Sequence, residues 1–116
     1  MSIVYAHYAS LGIKARNCCS ITIGTQTARV LMDGWNTVSI SRSENYIILS
    51  KGGEYRIIGR DYERPRTQIN ITKLVRSGGL ISESYFDGSY YKVKKTKDGR
   101  VVICLNEKVK GEDKRG

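Results

Sequence analysis

Apolar and polar residues alternate in short runs along most of the chain, and turn residues separate these runs. The runs are rich in Val, Ile, Thr and Tyr, whose side chains suit a pleated strand. The pattern predicts strands within residues 21–23, 37–41, 46–49, 55–58, 68–71, 90–94 and 100–105. It therefore favours a mainly β protein with a minor helical (α+β) part.

The strongest hairpin signal lies in the last third of the chain. Residues 91–94 read YKVK, and this alternation of apolar and basic residues is typical of a half-exposed strand. Asp98 and Gly99 follow, a pair that favours a type I′ turn, in which both central residues have positive φ. The apolar run 101–105 then predicts a more buried returning strand.

Two short segments, residues 25–32 and 72–80, have helical character. Asp33 and Gly34 end the first segment, and Gly78 and Gly79 end the second. Both are shorter than the roughly 12 residues that an isolated helix needs in water. We therefore expect both helices to pack against the sheet.

The two halves of the chain have the same order of elements. Residues 20–53 contain, in order, the run ITI, a polar segment that includes Arg29, the run VSI and the run IIL. Residues 66–106 contain, in the same order, the run INI, a polar segment that includes Arg76, the run YKV and the run VVI. This order predicts two pseudo-repeats, 20–53 and 66–106, within a single domain of residues 1–116. A charged connector, 59–66, joins them, and a charged flexible tail, 106–116, follows. The alternative is a chance likeness between two β-rich halves.

The charge of the chain points to an anionic partner. The net charge is +9 and the pI about 9.6, an excess typical of nucleic-acid-binding domains because it attracts polyanions at long range. Residues 59–116 carry fourteen basic and eight acidic side chains, against six and three in residues 1–58. An acidic protein or nucleoprotein partner, and a basic surface that only keeps the protein soluble, are the alternatives. No apolar run is long enough to cross a membrane, so we expect a cytoplasmic protein without a membrane partner.

The first unit resembles the swapped-hairpin DNA-binding domain of the AbrB/SpoVT/MazE type. The likeness rests on ITI, GTQTARVLMDGW with its arginine, NTVSI, the tight turn SRSEN and YIILSKG. The second unit, INI, TKLVRSGGL, YYKV, KKTKDGR and VVICL, is similar and has an insertion at 81–89. Gly24 and Thr72 stand where the family usually has proline. The resemblance implies a small barrel of two interleaved β-hairpin units with short helices. In the family two chains, each with one unit, usually form a homodimer, whereas the resemblance implies that this chain contains both units. Whether two copies of this chain also form a homodimer is left open.

The resemblance also implies which arginines contact DNA. Family members use arginines on the short helix and near the first strand, which correspond to Arg29 and Arg76 and, less closely, to Arg16 and Arg66. Arginine suits this role because its planar guanidinium bonds phosphate or the edge of guanine through two N–H groups. For each of them a solvated surface position is the alternative.

A second basic cluster does not depend on the family. Lysines on a β-ribbon can neutralise phosphates, and aromatic rings beside them can stack on unpaired bases. The candidates are Lys92, Lys94, Lys95, Lys97 and Arg100, with Tyr90 and Tyr91 for stacking. The alternative is that the lysines protect an exposed strand edge from aggregation while the aromatic residues belong to the core.

Catalytic and metal-binding patterns are weak in this sequence. His7 is the only histidine and lies near an end that we expect to be flexible. Cys18, Cys19 and Cys104 form no CxxC pair, so reduced structural thiols are expected. We predict that the protein is not an enzyme and uses no cofactor or metal.

Together these features favour a double-stranded DNA-binding protein, a transcriptional regulator. One alternative is a small phage or mobile-element inhibitor or adaptor that binds a host nucleoprotein or protein, in the manner of an anti-CRISPR protein. Another is a small barrel that binds single-stranded nucleic acid through its tyrosines.

Overall fold

The structure, a computed structural model, describes residues 7–14, 17–58 and 66–109. Strands hold 54% of these residues and helices 19%, which confirms the mainly β class. The strands are β1 (His7–Lys14), β2 (Cys18–Gly24), β3 (Thr37–Ser43), β4 (Tyr46–Lys51), β5 (Tyr55–Ile58), β6 (Arg66–Asn70), β7 (Tyr90–Lys95) and β8 (Val101–Val109). The helices are α1 (Thr25–Leu31) and α2 (Thr72–Gly78), and a short 3-10 helix spans Glu83–Tyr85.

The eight strands form one closed antiparallel barrel in the order β1-β2-β6-β5-β3-β4-β8-β7. The first half of the chain contributes β1 to β4 and the second half β5 to β8, so hairpins from the two halves alternate around the barrel. Each hairpin is hydrogen-bonded on both sides to strands of the other half. The predicted barrel of two interleaved hairpin units is confirmed.

Exchanging the two halves leaves the strand pairing unchanged. The equivalent strands β2 and β6 pair with each other through Ile21 and Ile69. In the same way, β4 and β8 pair through Ile48 and Val102 on the far side of the barrel. The contact of β1 with β7 has its counterpart in the contact of β5 with β3. The residues that the sequence aligned as repeats thus occupy equivalent positions.

The interior of the barrel is filled by side chains from alternate positions of every strand. An eight-stranded barrel is just wide enough for side chains to fill it. Each strand contributes buried apolar residues, among them Leu11, Ile21, Val38, Leu49, Ile57, Ile69, Val93 and Ile103. The β-branched residues among them favour strands, and their side chains also fill the interior of the closed barrel.

The two helices close opposite ends of the barrel. Because β2 and β6 run antiparallel, α1 and α2 leave the sheet at opposite ends. Ala28 of α1 and the equivalent Val75 of α2 are buried against the core. Both predicted helices are confirmed, α1 one residue shorter and α2 two residues shorter than expected. Gly79, with φ at 65°, ends α2 in the left-handed conformation.

The first strand was missed by the sequence prediction. Residues 7–14 read HYASLGIK, with few β-branched residues, yet they form β1 between β2 and β7. Pairing on both edges, with β2 and with β7, replaces local propensity here. His7 begins this strand, and residues 1–6 lie outside the described ranges, so the expected flexibility of that end stays a prediction. The repeats therefore include β1 and β5 as well.

Part of the predicted flexible tail belongs to the barrel. Residues 106–109 continue β8, where Lys108 pairs with Tyr91 and its Nζ lies 3.0 Å from Oδ2 of Asp87. The expectation of a frayed chain from residue 106 onward is wrong for these residues, and 110–116 lie outside the described ranges. The connector 59–65 also lies outside them, and Arg66 begins β6.

The hairpin of β7 and β8 is confirmed, but its turn differs from the expected type. Of the two central residues, Gly99 alone has positive φ (89°). The amide of Gly99 donates to the Thr96 carbonyl at 3.1 Å, and the amide of Thr96 donates to the Arg100 carbonyl at 2.8 Å. These two hydrogen bonds close a loop longer than a two-residue turn, so Asp98 need not adopt a left-handed conformation.

Replacing Gly53 by alanine should destabilise the barrel by about 1–3 kcal/mol, the usual cost of overpacking. A Cβ at Gly53 would lie 2.6 Å from backbone atoms of Val38 and Ser39, where the chain crosses β3. Gly78→Ala is the matched control, because it meets only ordinary contacts in α2 and should stabilise by up to about 1 kcal/mol. Urea unfolding measures both variants, and equal stability of the two would contradict this account of the crossing.

Acid should weaken the link between Asp87 and the end of β8. Hydrogen bonds from Ser89 and then Lys108 lower the pKa of Asp87 to about 2 from an ordinary 3.8. A lowered folded-state pKa stabilises the fold above about pH 4, and this stabilisation is lost as the pH falls towards 2.

Asp87→Asn should therefore show a shallower loss of unfolding free energy between pH 5 and pH 2.5 than the wild type. Asp33→Asn, at an exposed carboxylate with no ion pair among the described residues, serves as control. Identical pH profiles for the wild type and Asp87→Asn in urea titrations would refute the assignment.

Candidate nucleic-acid interface

One end of the barrel gathers α1, the start of β6 and the turn between β7 and β8. Gly24, after which α1 begins, pairs with Arg66. His7 pairs with Val93 of β7, and its Nδ1 lies 3.1 Å from Oγ1 of Thr27 in α1. The turn 96–100 therefore extends from the same end as α1. We call this region the hairpin end.

Of the cations that the sequence predicted as contacts, three are exposed at the hairpin end and form no ion pair among the described residues. They are Arg29 on α1, Lys95 at the end of β7 and Lys97 in the turn. Each charge faces solvent, so an incoming anion can bind it without breaking an internal salt bridge. Lys51, at the end of β4, is a further exposed cation of this kind that was not predicted from the sequence.

Arg100 is part of the turn that holds these lysines. Its Nη2 lies 2.9 Å from Oδ2 of Asp98. Hydrogen bonds from the Thr96 hydroxyl and from Arg100 lower the pKa of Asp98, so this carboxylate stays charged. Arg100 thus contributes order to the turn, and much of its charge is compensated locally.

Lys92 and Lys94 lie on the outer face of β7 and share one acidic neighbour. Their Nζ atoms lie 3.8 Å and 3.7 Å from the two carboxylate oxygens of Glu107 on β8. The three groups together leave one net positive charge. Their contribution to anion binding is correspondingly smaller than the sequence alone suggests.

Arg76 occupies the position in α2 that Arg29 occupies in α1, but at the opposite end of the barrel. Its Nε lies 3.5 Å from Oε1 of Glu83 in the insertion that follows α2. The structure therefore does not bring the two predicted helix arginines together. It leaves Arg29 with the free lysines and gives Arg76 an acidic partner.

Two of the predicted arginines are only partly described or lie outside the described residues. Arg66 begins β6 at the hairpin end, where its backbone pairs with Gly24. Arg16 lies outside the described ranges. The predicted contacts of both with DNA remain predictions.

Tyr91 is a core residue and not a stacking platform. Only 2% of it is exposed, and its hydroxyl donates to the Tyr85 carbonyl at 3.3 Å. Burial raises the pKa of Tyr91, in keeping with a phenol surrounded by protein. The prediction that Tyr91 stacks on bases is wrong, because β7 turns alternate residues inward. Tyr90 faces outward, half-buried, and its predicted stacking stays a prediction.

A groove that was not predicted from the sequence lies on the outer face of the barrel. It has a volume of about 340 Å³ and runs along β4 and β8 to the end of β7. Tyr46, Ile48, Val102 and Cys104 form an apolar floor, and Ser43, Lys94, Lys95 and Thr96 line its edges. Among the aromatic residues that the structure describes, Tyr46 is the exposed one. The alternation in β4 could have revealed Tyr46 and Ile48 as outward-facing, since Ile47 and Leu49 are buried between them.

The described residues offer little of the geometry of a catalytic centre. They contain no group of three or more His, Cys, Asp and Glu side chains that could hold a metal ion. The three cysteines form no disulfide. Burial raises the thiol pKa of Cys19 and of Cys104, which favours the neutral, less nucleophilic form.

None of the described helices has the length and apolar character required to cross a bilayer.

Comparison of the chain with protein-family models, with curated proteins and with solved structures finds no match.

Proposed function

We propose that the protein binds double-stranded DNA through the hairpin end of its barrel and acts as a transcriptional regulator in the cytoplasm. The observation that carries this proposal is the cluster of Arg29, Lys95 and Lys97, which share one end of the barrel and have no internal ion pairs in the described residues. The resemblance of the two units to swapped-hairpin DNA-binding domains supports the same function.

The chemistry of the hairpin end fits a phosphate backbone. Lysines on a turn that extends beyond the barrel can reach phosphates, and their binding releases condensed counterions from the duplex. Arg29 lies on the short helix beside them and could bond either a phosphate or a base edge. Phosphate contacts would supply most of the affinity, and a few arginines would supply any choice of sequence.

Lys97→Gln should weaken binding to a 30-base-pair duplex and lower the slope of log affinity against log salt by about 0.9, the value of one phosphate contact. Lys73→Gln is the matched control, since Lys73 is exposed on α2 at the opposite end and forms no ion pair among the described residues. Fluorescence anisotropy over a range of salt concentrations measures both. No duplex binding by the wild type at low salt, or equal losses for the two variants, would refute the proposal.

Arg29→Gln should reduce duplex affinity more than Arg76→Gln does. The two residues hold equivalent positions, but Arg76 already faces Glu83 and lies at the other end of the barrel. The same titrations compare the two variants, with circular dichroism to check folding. An equal or larger loss for Arg76→Gln would place the DNA elsewhere on the barrel.

A protein or nucleoprotein partner is a second candidate, because apolar side chains are exposed at the hairpin end. Val30 on α1 is 55% exposed and Ile58 at the end of β5 is 52% exposed. Both elements flank β6, since α1 contacts β6 and Ile58 pairs with Gln68. An inhibitor or adaptor would use such residues beside its cations. Stoichiometric capture of one protein from nuclease-treated lysate, lost in Val30→Ser, would favour this function over DNA binding.

A further inference from the structure

The outer face of β4 and β8 is unusually apolar for a face turned towards solvent. In a barrel the outward positions of each strand are normally polar, because the inward positions already form the core. Here Ile48 pairs with Val102, both half-buried on the outer side, and the exposed Tyr46 pairs with Cys104, which its neighbours cover completely. Tyr46 is 41% exposed, so a large aromatic surface remains uncovered at one end of the groove.

The other end of the groove is cationic. Lys95 reaches its edge without an ion pair among the described residues, while Lys94 is held by Glu107. The Thr96 hydroxyl already bonds Asp98 and the Arg100 backbone, so it keeps the edge in place. An occupant therefore meets an apolar, aromatic floor at one end and the edge formed by Lys95 and Thr96 at the other.

The groove has one orientation, although the scaffold around it is symmetric. The equivalent residues Ile48 and Val102 pair with each other at its centre. Arg42 in the first half is the residue equivalent to Lys95 in the second half. Arg42 cannot play the same part, because it donates to the Glu44 and Leu80 carbonyls and packs over a tyrosine ring. Only the Lys95 end therefore offers a free cation.

We propose that this groove binds an unpaired nucleotide of single-stranded nucleic acid, with the base against Tyr46, Ile48 and Val102 and a flanking phosphate at Lys95. Along β8, Tyr46 and Lys95 are three residues apart, since they pair with Cys104 and Val101. Because β8 lies between β4 and β7, two strand spacings add to about 10 Å along the strand, and the two Cα atoms are roughly 14 Å apart. Lys95 is the last residue of β7 and lies opposite the inward-facing Val101, so its long side chain turns at the strand end to meet the phosphate at the edge of the groove. Base stacking on an exposed ring and a cation beside it are the two elements of single-strand recognition.

The chemistry of the groove favours an unpaired nucleotide over the other occupants. A paired base hides its faces in the duplex stack, so duplex DNA cannot fill an apolar floor without unstacking. An acidic peptide with an aromatic side chain would match the charge as well. A nucleic-acid chain, however, supplies a planar ring and an anion in every unit, and the positive charge of the protein favours it. The groove does not require binding to duplex DNA, although Lys95 belongs to both surfaces.

Fluorescence anisotropy with fluorescein-labelled dT12 tests the groove directly. An abasic 12-mer with the same phosphates and a 12-base-pair duplex are measured in parallel. We expect dT12 to bind more tightly than the abasic strand, and Tyr46→Ala to weaken dT12 binding roughly 5- to 100-fold, the range for loss of one stacked base. Tyr46→Phe should retain affinity, and Ile13→Ala, at an exposed apolar residue of β1, serves as the distant control.

Equal affinity for dT12 and the abasic strand, or an unchanged affinity in Tyr46→Ala, would overturn the proposal. The proposal would also be overturned if a peptide of glutamates and one phenylalanine bound at the groove while dT12 did not. If Tyr46→Ala fails to fold, methyl NMR of the wild type replaces it: dT12 should shift the signals of Ile48 and Val102, and shifts only elsewhere would refute the site. If the wild type binds dT12 but does not bind the duplex, the proposed regulator function is rejected and the groove proposal stands.

Discussion

Interleaving of the hairpins is the constraint on which the rest of the structure depends. Each hairpin of one half is hydrogen-bonded on both sides to strands of the other half. Neither half can satisfy its strand edges or close its apolar interior alone, because the partner strands lie half a chain away. Pairing of Ile21 with Ile69 and of Ile48 with Val102 joins the halves on opposite sides. The barrel is therefore one cooperative unit in spite of its two repeats.

The symmetric scaffold carries an asymmetric surface. Equivalent backbone positions hold Arg29 and Arg76, yet Glu83 stands beside the second alone. Lys95 is free where its equivalent Arg42 is bound by backbone carbonyls. Divergence at the surface costs little stability, since these side chains are exposed and their pairs contribute little to folding. The same fold can thus present a cationic end, a neutralised end and one apolar groove to different ligands.

Local patterning predicted most of the elements, and its failures have physical causes. β-branched runs and glycine stops located both helices and seven of the eight strands, because alternation and capping act over a few neighbouring residues. Residues 7–14 escaped because pairing with β2 and β7 replaces intrinsic propensity there. Residues 106–109 looked like a tail, since their polar side chains give no sign that β7 continues beside them.

The sequence by itself determined the class of fold, the repeat and the excess of positive charge, because composition and periodicity are properties of the chain. Only the tertiary structure decided which charges remain free. Lys92 and Lys94 meet Glu107 across a strand pair, while Lys95, one residue further, meets no acid in the described residues. It also decided that Tyr91 is core and Tyr46 is surface. Closure of the barrel sets which side of each strand faces inward, and contacts between residues far apart in sequence set the rest.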